Sequence, residues 1–201
     1  MNPSNVDPTH AVKLGVIRIL GISGSLRNAS INSALLRAAK RLALPDIDLA
    51  VFSGVGELPL FNPDLEASLP VQVLALHAAV SESDALLFAS PEYAHGVTGA
   101  IKNTLDWLVS FEPFVGKRVA VLNASPRAHH ADMALRETLK TMSAVIVEEA
   151  SLSIPLLGAK LSEAGMVEDP LVSSAIKHSL LALHVAFAQG RSEQGHTSPF
   201  S

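Results

Sequence analysis

The sequence predicts an α/β domain built on a doubly wound, five-stranded parallel sheet of order 2-1-3-4-5. Three observations lead there. Short runs of consecutive apolar residues alternate with stretches whose apolar residues recur at helical spacing, the pattern of strands buried on both faces by helices. Five such runs fit into 201 residues, which suits this order better than a six-stranded one, and right-handed crossovers leave few ways to connect them. No Pro/Gly/Ser-rich stretch between the ends is long enough to separate one domain from another. Residues 14–188 therefore read as one domain, flanked by a loose arm (1–13) and a polar tail (189–201).

Each element has its own warrant. Residues 16–22 (VIRILGI) form a buried-strand run ended by Ser and Gly. Residues 31–42 place Ile31, Leu35, Ala38 and Leu42 on one helical face and leave Arg37, Lys40 and Arg41 for solvent. Residues 47–52 give a second strand and 71–80 a second helix. Residues 85–89 (ALLFA) give a third strand, followed by a helix through Ile101, Leu105 and Leu108. A fourth strand at 119–122 precedes a helix at 133–142. Residues 150–154 are the expected fifth strand, and Ile176, Leu180, Leu183 and Phe187 stripe a final helix.

Composition narrows the function classes. There is no cysteine, which excludes disulfides, zinc knuckles and thiol nucleophiles. Fifteen basic against 19 acidic side chains, net −4, offer no footprint for nucleic acid. An apolar fraction of 48% with 17% charged residues describes a folded chain. The mean hydropathy is +0.33, yet no run reaches the roughly 18 apolar residues that span a bilayer, so no membrane association is expected. MNPSNVDPTH at the start lacks a basic region and an apolar core, so the cytoplasm is the expected location.

In open sheets of this order, ligands bind outside the carboxyl ends of strands 1 and 3, where the strand order reverses. The loops there are the two richest in the chain. GISGSLRNASIN (21–32) offers hydroxyls at Ser23, Ser25 and Ser30, the Asn32 amide and the Arg27 guanidinium, with Gly24 permitting close backbone approach. The next helix points its free N–H groups at this loop, completing a phosphate cradle. An ordinary βα turn capped by Ser30 is the plainer alternative. GxxxxGK[ST] and GxGxxG are both absent. Gly21 to Ser25 narrowly misses the GxSxG nucleophile elbow, but His178 and His184 lie on the last helical stripe, poorly placed to serve a serine hydrolase.

The second loop, SPEYAHGVTG (90–99), carries Pro91, Glu92, Tyr93 and His95 around backbone that Gly96 and Gly99 keep accessible. This suits a flat heterocycle with an aromatic against its face. Tyr93 as a core cap is the alternative, and Trp107 reads as packing. In the third loop, NASPRAHHAD (123–132), Ser125 and Arg127 can meet a ligand edge or the phosphate of a second nucleotide. Adjacent His129 and His130 do not converge as metal ligands, and Glu148-Glu149 reads as a solvated turn, so no metal site is expected.

GSLRNASIN (24–32) followed by PEYAHGVTGAIKNTLDW (91–107) resembles the NADPH-dependent FMN reductase family of flavodoxin-like proteins, over about residues 16–154. The family includes flavin, quinone, azo-dye and chromate reductases. The resemblance implies bound FMN, its phosphate at Ser23, Ser25, Arg27, Ser30, Ile31 and Asn32. Its ring would lie against Pro91, Glu92, Tyr93, Ala94, His95 and Gly96, with Ser125 beside it. NADPH or NADH would donate hydride in a ping-pong cycle to a small acceptor, with no side chain acting as obligate acid or base. An electron carrier without NAD(P)H turnover is the alternative, and a serine hydrolase the more remote one. The resemblance also implies a homodimer or homotetramer, to which the final helix and the stripe Val97, Ile101, Leu105 and Leu108 would contribute. The chain departs from the family after strand 4: that loop is often glycine-rich, and here no glycine occurs from Val119 through Val147.

Overall fold

The computed structural model describes residues 15–156 and 161–195, so the expected arm, 1–13, lies outside the described residues. Five parallel strands stand in the order β2-β1-β3-β4-β5. They are β1 (Ile17–Ser23), β2 (Ile47–Val51), β3 (Ala85–Ala89), β4 (Arg118–Leu122) and β5 (Val145–Ile146). The register sets Ile17 opposite Ile47, Ile19 opposite Ala85, and Leu86 opposite Val119. The helices are α1 (Ile31–Leu42), α2 (Val71–Glu82), α3 (Gly99–Asp106), α4 (His129–Thr141), α5 (Glu163–Glu168) and α6 (Pro170–Gly195).

Alternate strand residues face opposite ways, so each strand feeds two cores. Ile19, Leu87 and Leu122 pack with Leu35 of α1 and Ile176, Leu180 and Leu183 of α6. Leu86, Phe88 and Val121 pack on the other face with α2, α3 and α4 through Leu76, Ile101 and Leu135. The arrangement is the flavodoxin-like one.

Four expectations need correction. The fifth strand is not 150–154: the ladder runs only from Arg118–Val145 to Val119–Ile146, and a 3-10 turn, Glu148–Ala150, then interrupts it. The Ser151 hydroxyl oxygen accepts from Val121 N at 3.1 Å, satisfying the donor the missing strand leaves free. Residues 152–154 rejoin β4 by one bridge, Asn123 to Ser153. Ala150 looks strand-like because it is buried, not because it is paired; Ile154 N does donate to the Asn123 carbonyl, at 2.8 Å.

Second, α4 begins at His129, not Met133, so His129 to Asp132 belong to a helix. Third, α6 continues past Gln189 to Gly195, into the stretch that reads as a tail. α6 is long and apolar enough to cross a membrane by length and composition, but Ile176, Leu180 and Leu183 are buried in the core. Fourth, Ile101, Leu105 and Leu108 are buried within this chain and cannot serve a second subunit. Trp107 is buried as expected, its Nε1 donating to the Pro59 carbonyl at 2.8 Å.

Candidate functional site

The carboxyl ends of β1, β3 and β4 open onto one cavity of about 830 Å³. Two loops are tied together beneath it. Gly24 N donates to the Ala89 carbonyl at 2.9 Å, extending the β1–β3 ladder into the loop. A Cβ on Gly24 would lie 2.7 Å from Ser90 Cβ, closer than side chains approach, so only glycine lets these loops meet.

The first wall is the β1 loop and the start of α1. Ser30 Oγ accepts from Ser33 N at 3.2 Å, capping α1. The capped-turn alternative therefore holds, and the same serine lines the cavity with Ser25, Arg27, Ile31 and Asn32. The Ser30 hydroxyl hydrogen remains free to donate. Asn32 is buried, and its Oδ1 has no hydrogen-bond partner, an unmet polar group at a helix N-terminus. Arg27 makes no ion pair among the described residues. Ser23 is buried and does not line the cavity, its hydroxyl 2.8 Å from Ser33 Oγ and accepting from Ser25 N at 3.2 Å. Those partners include no histidine, and His184 sits against the Gly15 carbonyl at 2.6 Å, so among the described residues Ser23 has no histidine partner.

The second wall is the β3 loop. Pro91, Glu92 and Tyr93 line the cavity, and Tyr93 is 54% exposed, which removes the core-cap alternative. Tyr93 and Gly96 exchange backbone hydrogen bonds at 3.2 and 3.0 Å around a tight turn. That turn drives Ala94 and His95 to φ of +50° and +58°. These two residues and Gly96 shape the turn without lining the cavity.

Glu92 holds a role the sequence did not suggest. Its Oε2 accepts from Ala131 N at 2.9 Å, capping α4 from another loop. Its Oε1 lies 3.1 Å from His95 Nδ1. The Ala131 N–H, followed by His95 and the nearby His130, hold its carboxyl below the usual carboxylate range, against the opposing effect of burial.

The third wall follows β4. Asn123, Ala124, Ser125, Pro126, Arg127 and Ala128 line the cavity, with Pro155 beside them. Of these, Asn123, Ala124, Pro126, Ala128 and Pro155 escaped sequence reasoning. Pro155 is placed only by the pairing of residues 152–154 with Asn123, which local sequence does not advertise. Among the described residues, no group of three or more His, Asp or Glu side chains could hold a metal ion.

This is a preformed cleft with apolar walls, free donors at a helix N-terminus and an exposed aromatic. The family model for NADPH-dependent FMN reductase matches residues 17–156, which contain all three walls. The chain belongs to that family. FMN is the family's cofactor, and NAD(P)H its electron donor. An NAD(P)H-dependent FMN reductase of Pseudomonas aeruginosa is 36% identical over 177 residues, covering 84% of this chain and 94% of its own. A quinone reductase of Pseudomonas putida is 35% identical over 62% of this chain and 70% of its own. Among solved structures, the flavoenzyme NAD(P)H:(acceptor) oxidoreductase of Paracoccus denitrificans superposes with a TM-score of 0.74. It is 28% identical, over 87% of this chain and 98% of that one. The chain is thus an oxidoreductase, and its donor set fits the family's cofactor: the unpaired Arg27 guanidinium and the Ser25 and Ser30 hydroxyls suit phosphate oxygens.

Proposed function

We propose that the chain transfers electrons from NAD(P)H to a small acceptor, a quinone or free flavin first among the candidates, in two separate visits to one cleft. FMN would supply the hydride chemistry, and the protein placement and electrostatics. Ser25, Arg27, Ser30, Asn32 and the Ile31 backbone would hold the phosphate, and Pro91 and Tyr93 would lie along the ring. Ser125 would stand at its outer edge. The single observation that carries this reading is the one cavity joining the α1 N-terminus to the β3 and β4 loops. It has room for one nucleotide and a stacked partner, and no second cleft is needed. Leu60, Val71, Leu74 and Val109 remain strongly exposed, which supports a homodimer or homotetramer.

Steady-state turnover at varied donor and acceptor tests the reading. Parallel double-reciprocal lines with a quinone, and bleaching of the yellow enzyme by NADPH or NADH without air, are expected. Intersecting lines, or colour that persists, would refute it.

A further inference from the structure

The loop leaving β4 presents a second guanidinium that phosphate binding leaves without a task. Arg127 lines the cavity and has no ion pair among the described residues. Three acidic groups on or beside α4 have other partners, although Asp132 Oδ1 is buried without one. Asp132 and Glu148 hold Arg136 at 2.8 and 2.7 Å, and Glu92 holds Ala131 N and His95.

The loop is also bonded to itself. Ser125 N donates to Asn123 Oδ1 at 2.9 Å, Arg127 N to Ser125 Oγ at 3.3 Å, and Asn123 Nδ2 to the Ala128 carbonyl at 3.2 Å. With no glycine from Val119 through Val147, this loop is a self-bonded turn aimed by its own side chains.

Topology says which end of a ligand Arg127 meets. β3 separates β1 from β4, and neighbouring strands stand about 4.8 Å apart, so the outer loops are roughly 10 Å apart. A molecule with its phosphate at the β1 loop and its flat head on the β3 loop brings the head's far edge to the β4 loop. Hydride uptake adds two electrons and one proton, so the ring gains one negative charge while the phosphate is unchanged. We propose that Arg127 reads that charge, binding reduced FMN more tightly than oxidised FMN and raising the flavin's reduction potential. The inference rests on the FMN reading above.

Arg127→Gln and wild type should be titrated with oxidised FMN, and anaerobically with dithionite-reduced FMN. Oxidised FMN should bind the variant within about twofold of wild type, and reduced FMN about tenfold more weakly. By the two-electron relation, tenfold corresponds to a potential about 30 mV lower. Arg127→Lys should recover most of the difference. Equal weakening of both states, or no change in either, would overturn the inference. So would weaker NADPH binding to the oxidised variant with NADH unaffected, since that assigns Arg127 to the donor's phosphate. If wild type binds neither form, the FMN reading itself fails. Unchanged thermal melting of the empty variant excludes misfolding.

Discussion

The Thr98 hydroxyl donates to the Gly24 carbonyl at 2.7 Å across 74 residues of sequence. The same Oγ1 accepts from Ile101 N at 3.2 Å, capping α3. One buried side chain thus starts a helix and staples the β1 loop to the β3 loop under the cleft.

Thr98→Val keeps the shape and strands a buried carbonyl. The expected loss is about 1–3 kcal/mol for the carbonyl, plus about 1 kcal/mol for the cap. Thr98→Ser should retain most of it. Urea unfolding of the three proteins measures this, and equal midpoints would mean the staple carries no weight.

Gly24→Ala inserts a Cβ 2.7 Å from Ser90 Cβ. The loops must move apart, at about 1–3 kcal/mol as for other overpacked sites. FMN affinity should fall with stability, because the same separation widens the cleft. Calorimetric titration alongside thermal melting reads both, and full affinity at wild-type stability would contradict the described approach of the loops.

Ala94 carries a positive φ of +50°, a conformation that costs an alanine roughly 1 kcal/mol and asparagine less. Ala94→Asn is therefore expected to stabilise the protein by about 0.5–1 kcal/mol. A lower melting temperature would show that the turn is not strained as described.

Glu92 gives a pH dependence whose sign follows from its partners. Its carboxyl is held below 4.5 by the Ala131 N–H, with His95 and His130 adding to the effect. Between its folded and ordinary values the unfolded chain binds more protons, so stability rises with pH there. The contribution is complete above the ordinary value and disappears as pH falls through the folded one. Glu92→Gln should therefore be less stable than wild type at pH 7 and converge with it in acid. A gap that persists at low pH would point to packing instead of charge.

The fold was legible because strands covered on both faces must be continuously apolar, and ALLFA at Ala85–Ala89 is buried throughout. The cleft was legible for a related reason: parallel topology places loops rich in Ser, Arg and Tyr at the carboxyl ends of neighbouring strands. What stayed hidden depends on partners distant in sequence. The cap of α4 comes from Glu92, 39 residues before Ala131, so nothing local marks His129 as a helix start. The fifth strand misled because burial and pairing, usually found together, separate at Ala150.

In the proposed binding mode, a phosphate lodges where Arg27 meets the amino end of α1. Fluorescence titration of wild type and Arg27→Ala with FMN tests it most directly. A charge-assisted contact worth about 1.5–3 kcal/mol predicts affinity lower by about 10- to 100-fold in the variant, at unchanged melting temperature. Equal affinity in the two proteins would contradict it.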